Sequence, residues 1–359
     1  MSLPRSAQVA VFLGPGKPFE FRSVPIPEPR GGEVLVALSL ATICGSDLHT
    51  IEGRRNETTP CVLGHEAVGE VVALGDGRDP ALLGRRVTWT LADHCGCCPP
   101  CREWGLPQKC ESLFKYGHAP LDSGSGLNGC YASHLLLREG TTVIPLPGNV
   151  TDAMAAPANC ALATMIAATE PLAGGGRQVL VQGAGLLGLY GCALLRESGW
   201  GRVLVADPNP ARLALVAAFG GEPVGIDDVA ALRPGTMDVV IEAAGHASVV
   251  SEGIRLLRAG GHYGFVGMVH PDSRLDLTGE TVIRKCLTLR GTHNYAPWHL
   301  RSAVAFLSDR AGRYPWASLV SPPFPLAGLE DAIGLARSGR WPRVAVAPRG
   351  TVGETVSES

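Results

Sequence analysis

The chain has 359 residues, of which 45% are hydrophobic and 18% are charged, with a formal net charge of −2. This length and composition predict a folded protein of two domains, or one unusually large one, and exclude disorder. A near-neutral charge without a basic stretch excludes nucleic acid as the expected partner. The N-terminus lacks a signal-peptide pattern and no apolar run could span a bilayer, so we expect a cytoplasmic protein outside the membrane.

The first part of the chain predicts a mostly β structure. Short apolar runs at 33–41, 67–75 and 134–147 are separated by segments rich in Gly and Pro. Such runs are typical of strands joined by turns. An Ala-rich segment near residue 152 then predicts a helix and a change of domain.

From residue 178 the pattern alternates between strands and helices. Strands are predicted at 178–182, 202–206, 238–242, 262–266 and 287–290, and helices at 186–198 and 211–219. This alternation implies a parallel, doubly wound sheet, so the fold class is α/β with a β-rich second domain.

A glycine motif follows the first of these strands. Gly183, Gly185 and Gly188 form G-x-G-x-x-G, and Leu186 begins the helix. Together they allow a tight turn, close approach of a pyrophosphate and close packing of strand and helix, with the helix N-terminus facing the phosphates. A turn needed only for packing is the alternative.

Asp207 ends the next strand, where a carboxylate can accept hydrogen bonds from both ribose hydroxyls. It would repel a 2′-phosphate, which favours NAD over NADP. Arg212 lies nearby and could soften that preference.

Five of the eleven cysteines lie between Cys95 and Cys110. Cys95, Cys98, Cys101 and Cys110 have the spacing C-x2-C-x2-C-x8-C, which suits a closed tetrahedral zinc site. Cys97 is a further thiol inside this loop, and free or disulfide-forming cysteines are the alternative.

A second set of metal-binding side chains is dispersed. Its members are Cys44, His65 with its neighbour Glu66, and Cys160. Taken one at a time, each could be an ordinary buried structural residue. Together, two thiolates and one imidazole match a catalytic zinc that keeps its fourth position for water or an alcohol, whose hydroxyl pKa it would lower.

The segment after Cys44 offers groups for proton transfer. Ser46 could take the proton of a substrate hydroxyl and His49 could pass it towards solvent. Asp47 could hold His65 in one tautomer. Turn formation by Ser46 and Asp47, and an ordinary solvated His49, are the alternatives.

With these motifs the chain resembles the zinc-containing medium-chain alcohol dehydrogenases. The resemblance rests on CGSD at 44–47, GHEAVGEV at 64–71, the cysteine-rich loop, VQGAGLLG at 181–188 and YGFVG at 263–267. It implies a chaperonin-10-like (GroES-like) catalytic domain at 1–153 and 297–359, with a structural zinc lobe at about 93–112, and a Rossmann domain at 154–296. It also implies a homodimer or homotetramer.

The resemblance implies the same two zinc sites and the Ser46–His49 proton relay. It adds Glu66 as a group beside the catalytic zinc or a transient ligand of it, and Arg343 as a contact for cofactor phosphates, although an ordinary surface arginine is the alternative for Arg343. The family usually has one residue fewer between its last two lobe cysteines, which leaves the geometry of Cys110 open.

A narrower resemblance concerns three segments. ICGSDLHTIEGRR, GLPQKCESLFKYGH and AAPANCALATMIAA look like a clade of these enzymes associated with phosphonate metabolism. A phosphonate-bearing substrate would need positive charge, for which the paired Arg54 and Arg55 are the candidates, with Lys115 and His118 as additions. A solvated surface loop is the alternative.

The expected function is reversible hydride transfer between an alcohol and NAD, with two zinc ions per subunit. Polyol or threonine-type dehydrogenases on the same fold are the alternative. A zinc-free enoyl or quinone reductase would need none of the zinc ligands, and a non-catalytic NAD-sensing or zinc-scaffold protein would lack the dispersed set.

Overall fold

The computed structural model describes residues 4–172, 174–270 and 273–349. No helix in these ranges combines the length and the apolar character that crossing a bilayer requires. The described strands are β1 (Ser6–Phe12), β2 (Glu20–Pro25), β3 (Val34–Ile43), β4 (Cys61–Val62), β5 (Glu66–Leu74), β6 (Arg86–Trp89), β7 (His134–Leu137), β8 (Val143–Pro145), β9 (Gln178–Gln182), β10 (Arg202–Ala206), β11 (Glu222–Val224), β12 (Met237–Glu242), β13 (Leu257–Phe265), β14 (Thr288–Gly291), β15 (Phe324–Pro325) and β16 (Val344–Ala347).

The same described residues also form α-helices, most of them short. They are α1 (Gly45–Ile51), α2 (Pro99–Arg102), α3 (Asp152–Ala155), α4 (Ala161–Thr169), α5 (Leu186–Glu197), α6 (Pro210–Val216), α7 (Ile226–Ala231), α8 (Val250–Leu256), α9 (Gly279–Arg284), α10 (Pro297–Asp309) and α11 (Leu329–Arg337).

The chain forms two compact units. Unit 1 comprises Met1–Cys160, Ala296–Ala311 and Trp316–Ser359, and unit 2 comprises Ala161–Tyr295 and Gly312–Pro315. The division falls after Cys160, whereas the sequence places it after residue 153. The reason is local, because the side-chain amide of Asn159 donates to the carbonyls of His65 (3.0 Å) and Trp89 (3.2 Å) and so ties the turn before Cys160 to unit 1.

Unit 1 is built on a seven-stranded sheet with the path β15-β16-β3-β5-β6-β8, in which β7 also pairs with β3. A three-stranded sheet of order β2-β1-β4 accompanies it. β3 consists of the apolar run VLVALSLATI and is mostly buried, because β5 pairs along one edge while β7 and β16 share the other. This pairing makes β3 the central strand of the unit.

The last segment of the chain completes the core of unit 1. α11 presents Leu329, Ala332 and Ile333 on one face, at the i, i+3, i+4 spacing of an amphipathic helix. These side chains join a buried cluster with residues from the first strands, including Phe12 and Leu35. Burial of such aliphatic and aromatic side chains contributes roughly 1.5–3 kcal/mol each.

Unit 2 contains one six-stranded parallel sheet of order β11-β10-β9-β12-β13-β14. The strand order reverses between β9 and β12, and such a switch point is where doubly wound sheets bind dinucleotides. The predicted fold class, a β-rich domain together with a doubly wound parallel sheet, is therefore confirmed.

Candidate metal centres and dinucleotide site

One edge of the unit 1 sheet collects residues that are far apart in sequence. In the antiparallel register Thr42 lies opposite Glu66, and Ile43 lies opposite Val344. The end of β3 and the starts of β5 and β16 therefore meet at this edge. Cys44, His65 and Arg343 each adjoin one of those strand ends, so the pairing of the sheet brings them together.

Four potential metal ligands cluster at this edge. One ligand atom each from Cys44, His65, Glu66 and Cys160 lie within 4.8 Å of one another. Cys44, His65 and Glu66 are buried and Cys160 is half-buried. Two sulfurs, an imidazole nitrogen and a carboxylate oxygen are the donors that zinc accepts, so the residues fit that metal.

The two thiols of this cluster influence each other. A hydrogen bond from Cys160, reinforced by the charges of Arg343 and His65, holds the pKa of Cys44 well below its usual range, against the effect of burial. The same hydrogen bond, with burial, raises the pKa of Cys160 well above its usual range. A thiolate is thus already favoured at Cys44, and a cation at this position would favour the second.

Asp47 organises the segment around Cys44. As the third residue of α1 it accepts the backbone N–H of Cys44 through Oδ2 (2.9 Å), which is half of a capping box. The same oxygen accepts the hydroxyl of Tyr131 (2.9 Å). Its other oxygen, Oδ1, lies 3.5 Å from Nδ1 of His65.

This contact determines which nitrogen of His65 is available for a metal. Because Nδ1 faces Asp47, Nε2 is the nitrogen left for coordination. Burial disfavours charge on the ring, but Asp47 and Cys44 outweigh it and raise the pKa of His65 to about 10. A carboxylate behind an imidazole increases its basicity and fixes its orientation, as in zinc sites generally.

Glu66 is held in a buried ion pair. Arg343 donates through Nε to Oε2 (2.7 Å) and through Nη2 to Oε1 (2.9 Å), and Thr42 donates its hydroxyl to Oε2 (2.7 Å). Burial raises the pKa of Glu66 to about 7, although Arg343 acts in the opposite direction. Sequence reasoning missed this pair, whose members are 277 residues apart.

The remaining donor of Arg343 is also engaged, since Nη1 donates to the carbonyl of Pro342 (3.0 Å). Nη2 also lies 3.6 Å from the sulfur of Cys44. Arg343 therefore lies against the cluster of potential metal ligands. A contact of Arg343 with cofactor phosphates stays a prediction.

Ser46 and His49 lie three residues apart on α1, which puts them on one face of that helix. Both are half-buried. The carbonyl of His49 accepts the N–H groups of Arg54 (2.9 Å) and Arg55 (3.1 Å) where the helix ends. The roles of Ser46 and His49 in proton transfer stay predictions.

The two neighbouring arginines turn to different carboxylates. Arg54 pairs with Glu52 and its side chain is 60% exposed. Arg55 pairs with Glu57 (2.9 Å), a side chain that also contacts Nδ1 of His118 (2.7 Å). The two guanidiniums therefore do not form the joint anion-binding pair that the sequence predicts, because Arg54 pairs with Glu52 instead.

Through Glu57, His118 connects this arginine to the cluster of potential metal ligands. Its ring stacks on that of His65 with a centroid distance of 5.3 Å. Burial, together with the positive charges of Lys115 and His65, holds the pKa of His118 well below its usual range. Arg55 and Lys115 therefore carry the positive charge on this side of the cluster.

The four-cysteine lobe forms a second candidate metal centre. The sulfurs of Cys95, Cys98, Cys101 and Cys110 all lie within 4.8 Å of one another. Cys98 is 3.4 Å from Cys101 and 3.8 Å from Cys110, measured between sulfurs. Tetrahedral zinc with bonds of about 2.3 Å would separate its sulfurs by about 3.8 Å. The residues fit zinc, and the longer loop before Cys110 does not remove that sulfur from the cluster.

Backbone donors support thiolates in the lobe. The N–H groups of Cys97 and Cys98 each donate to the sulfur of Cys95 (3.4 Å) and lower the pKa of that thiol to about 5. The N–H of Cys95 donates in turn to the sulfur of Cys110 (3.2 Å). Cys97 lies outside the four-sulfur group although its own sulfur is 3.5 Å from that of Cys95.

The glycine motif in unit 2 has the geometry of a phosphate-binding turn. Gly183 follows β9 with φ +110°, a conformation that L side chains rarely adopt. A Cβ on Gly188 would overlap the carbonyl oxygen of Gly183, whereas a Cβ on Gly185 would meet nothing within 4 Å. Gly185 caps α5, whose first residue is Leu186, so open space lies at the helix N-terminus where a pyrophosphate would bind.

Asp207 is anchored beside this turn. Its carboxylate accepts the N–H of Ala184 at Oδ2 (2.8 Å) and that of Asn209 at Oδ1 (2.8 Å). Each oxygen retains a lone pair, so the carboxylate can still accept ribose hydroxyls. Arg212 lies 3.8 Å from Oδ2 and is exposed, which reduces the negative charge only in part.

Comparison with known proteins agrees with this arrangement. Residues 30–148 match the family model "Alcohol dehydrogenase GroES-like domain", and residues 187–309 match "Zinc-binding dehydrogenase". The chain is 28% identical over 348 residues to an L-threonine 3-dehydrogenase of Legionella pneumophila (strain Corby), covering 90% of this chain and 94% of that one. It is 27% identical over 347 residues to a sorbitol dehydrogenase of Halalkalibacterium halodurans, covering 92% and 96%.

A solved structure gives the same result for the fold. An alcohol dehydrogenase from Thermotoga maritima matches with a TM-score of 0.87 and 28% identity, over 96% of this chain and 99% of that one. Coverage of nearly both whole chains means that the similarity includes both units.

Replacing one lobe cysteine should remove one zinc. We expect Cys98→Ser to lose one of two bound zinc equivalents and to lower the melting temperature by about 5–10 °C, because a four-thiolate site contributes directly to folding. Cys97→Ser, a neighbour outside the group, should keep both equivalents. Metal analysis and thermal unfolding check this, and loss of zinc from both variants would show that Cys97 is a ligand.

Replacing Arg343 should destabilise the protein strongly. Arg343→Met leaves the carboxylate of Glu66 buried without its partner, which costs about 3–5 kcal/mol. Adding Glu66→Gln should restore part of this loss, because an uncharged amide needs no cation. Chemical denaturation measures both.

An exposed ion pair provides the matched control. Arg202 pairs with Glu222 while both side chains are about half exposed. Arg202→Met should therefore cost less than about 1 kcal/mol. Equal losses in Arg343→Met and Arg202→Met would mean that the buried pair is not important for stability.

Two substitutions separate the packing and binding functions of the glycine turn. Gly188→Ala should destabilise the protein by about 1–3 kcal/mol, because its Cβ overlaps the Gly183 carbonyl. Gly185→Ala meets open space, so its stability should change by less than about 1 kcal/mol while NADH binding weakens. Thermal unfolding and NADH fluorescence titration distinguish them, and the reverse order of stabilities would contradict the assignment.

Proposed function

Since the chain belongs to the zinc-binding medium-chain alcohol dehydrogenase family and is an NAD-dependent zinc oxidoreductase, we propose that its substrate is an alcohol that carries a phosphonate group. The reaction is the reversible conversion of that alcohol to an aldehyde or ketone. The observation that carries the catalytic part of the proposal is the buried group of Cys44, His65, Glu66 and Cys160.

Cys44, His65 and Cys160 are the proposed ligands of the catalytic zinc. When bound, zinc acts as a Lewis acid that lowers the pKa of a substrate hydroxyl, and NAD accepts the hydride. The contact of Asp47 with Nδ1 of His65 supports this ligand set, because it leaves Nε2 for the metal. The same carboxylate fixes the backbone of Cys44, so one residue would position two ligands.

Glu66 and Arg343 are proposed to balance charge around the ligands. Their bidentate pairing holds the Glu66 carboxylate within reach of the ligand atoms while Arg343 neutralises it. A carboxylate held in this way stays beside the ligands without being a permanent ligand itself.

The proton of the substrate hydroxyl is proposed to leave through α1. Ser46 Oγ accepts this proton as it gives up its own hydroxyl proton, which is relayed to the His49 imidazole, and His49 releases a proton to solvent. Both side chains lie on one face of the helix and are half-buried, which supports a route along this face towards water.

The phosphonate part of the proposal rests on positive charge beside the cluster. Arg55 and Lys115 are the cations on the side where His118 stacks against His65. A phosphonate dianion binds most strongly to such groups when water is partly excluded.

A threonine-type dehydrogenase is the second candidate. The relative from Legionella pneumophila is named for L-threonine, whose carboxylate is also an anion. A polyol dehydrogenase, the name of the relative from Halalkalibacterium halodurans, would have no use for this charge. The complete set of dispersed ligands argues against a zinc-free reductase and against a non-catalytic protein.

A cofactor-coupled substrate panel tests this function. We expect NAD reduction with a hydroxyalkyl phosphonate to exceed that with L-threonine, sorbitol and simple alcohols. Cys44→Ser should lower turnover by about 10³-fold or more while NADH still binds, because only the catalytic ligand set is changed. Absorbance of NADH and metal content are the measurements.

Cys286→Ser is the matched control, since this cysteine is exposed and lies in unit 2. It should retain full activity and both zinc equivalents. Full activity of Cys44→Ser would contradict the catalytic site, and preference for L-threonine or sorbitol would replace the phosphonate by that substrate.

A further inference from the structure

Asn159 lies directly before Cys160, one of the proposed ligands of the catalytic zinc, and it is completely buried. Its side-chain nitrogen Nδ2 donates to the carbonyl of His65 (3.0 Å) and to the carbonyl of Trp89 (3.2 Å). An amide nitrogen carries two hydrogens, so these two bonds use both of them. Asn159 therefore connects the backbone of one proposed ligand to the residue that precedes another.

The two acceptors lie where neighbouring strands are no longer paired. Among the described residues, the backbone ladder between β5 and β6 ends at Gly69, which lies opposite Val87. His65 and Trp89 lie beyond this end of the ladder. The side-chain amide of Asn159 joins the two segments there, so it supplies a connection that the backbone ladder does not.

The segment that carries Asn159 can transmit its position to Cys160. It is a buried 3-10 turn, Ala156–Asn159, in which Pro157 restricts the backbone. The N–H of Cys160 donates to the carbonyl of Pro157 (3.4 Å), so the ligand residue continues the same turn. A shift of Asn159 relative to His65 would therefore change the separation of two proposed ligands.

A ligand set from three separate segments needs tertiary contacts to fix its distances. Zinc accepts its ligands only within narrow limits of distance and angle. Asp47 meets this need for the first two segments, because it holds the backbone of Cys44 and contacts the ring of His65. Asn159 stands in the corresponding place between His65 and Cys160.

We propose that Asn159 is a positioning residue of the catalytic metal site, which holds Cys160 at the distance from His65 that zinc requires. The inference rests on the ligand set of the proposed function and adds a residue that touches neither the metal nor the substrate. Asn159 acts through the backbone carbonyls of His65 and Trp89 and through its own peptide bond to Cys160.

The first test measures zinc affinity in the absence of substrate. Asn159→Asp keeps the size of the side chain but places a carboxylate oxygen against two carbonyl oxygens. The affinity of the catalytic site for zinc should fall about 10- to 100-fold, while that of the lobe stays unchanged. Competition with a chromogenic chelator measures both affinities. Cys98→Ser, which should lack the lobe zinc, identifies which affinity belongs to the lobe.

Two further measurements make the result independent of one variant. Asn159→Ser keeps one donor in a smaller side chain, and we expect an intermediate loss of affinity. Substitution of zinc by cobalt(II) reports the ligand geometry directly. The visible absorption bands of the catalytic cobalt should change in both variants, whereas those of the lobe cobalt should not. Bands and affinities equal to those of the natural protein would overturn the proposal.

Asn128 provides the matched control. It is also buried in unit 1, and its Nδ2 also donates to two carbonyls, those of Pro120 (2.8 Å) and Ser123 (2.7 Å). Neither acceptor adjoins a proposed ligand in the sequence. Asn128→Asp should lower thermal stability and leave both zinc affinities and the cobalt bands unchanged. An equal loss of catalytic-zinc affinity in Asn128→Asp and Asn159→Asp would mean that Asn159 contributes only to general packing.

These readouts keep the inference distinct from the proposed activity, because neither of them needs turnover. Weaker zinc binding in Asn159→Asp, together with a natural protein that oxidises no alcohol in the panel, would contradict the proposed function and keep the positioning residue. Unchanged zinc binding in Asn159→Asp, together with an active natural protein, would do the opposite.

Discussion

The buried pair of Glu66 and Arg343 is the interaction on which the arrangement of unit 1 depends. It joins the start of β5 to the start of β16, strands from opposite ends of the chain that both lie beside β3. The pair satisfies two charges that could not be buried separately. Because both charges lie against the cluster of potential ligands, the contact that holds the C-terminal segment also contributes to the electrostatic field at this candidate metal site.

Two carboxylates, those of Asp47 and Glu66, lie next to the potential ligands and influence them. Asp47 lies behind His65 and holds the backbone of Cys44, while Glu66 lies beside the ligands and is neutralised by Arg343. Neither Asp47 nor the guanidinium needs to touch a metal to affect it. Groups of this kind orient ligands and adjust their basicity, which is why a site cannot be understood from its ligands alone.

The opposite side of the cluster has a different balance. There Glu57 faces Arg55, His118 and Lys115, and the positive charge exceeds the negative. An excess of charge inside a protein is destabilising unless a ligand compensates it. The neutralised carboxylate of Glu66 on one side and the cationic side chains on the other give the cluster an asymmetric distribution of charge.

Local chemistry made much of this protein predictable from its residues. The turn at Gly183 and Gly188, the capping of α1 by Asp47, and the close spacing of the four lobe cysteines involve neighbours along the chain, whose geometry follows from backbone conformation and short loops. The alternation of strands and helices from β9 onwards likewise implied the parallel sheet. The dispersed ligand set was predicted from its residue types and supported by a resemblance, and only the fold brought its members together.

Contacts between distant residues were not encoded in any local pattern. The partner of Glu66 and the separation of Arg54 from Arg55 depend on strand register and on which carboxylate lies within reach. A charged side chain pairs with an opposite charge that the folded backbone brings near, because burying it without a partner would cost its hydration. Spacing along the chain therefore determined the motifs of this protein, and packing of the sheet determined which charges they meet.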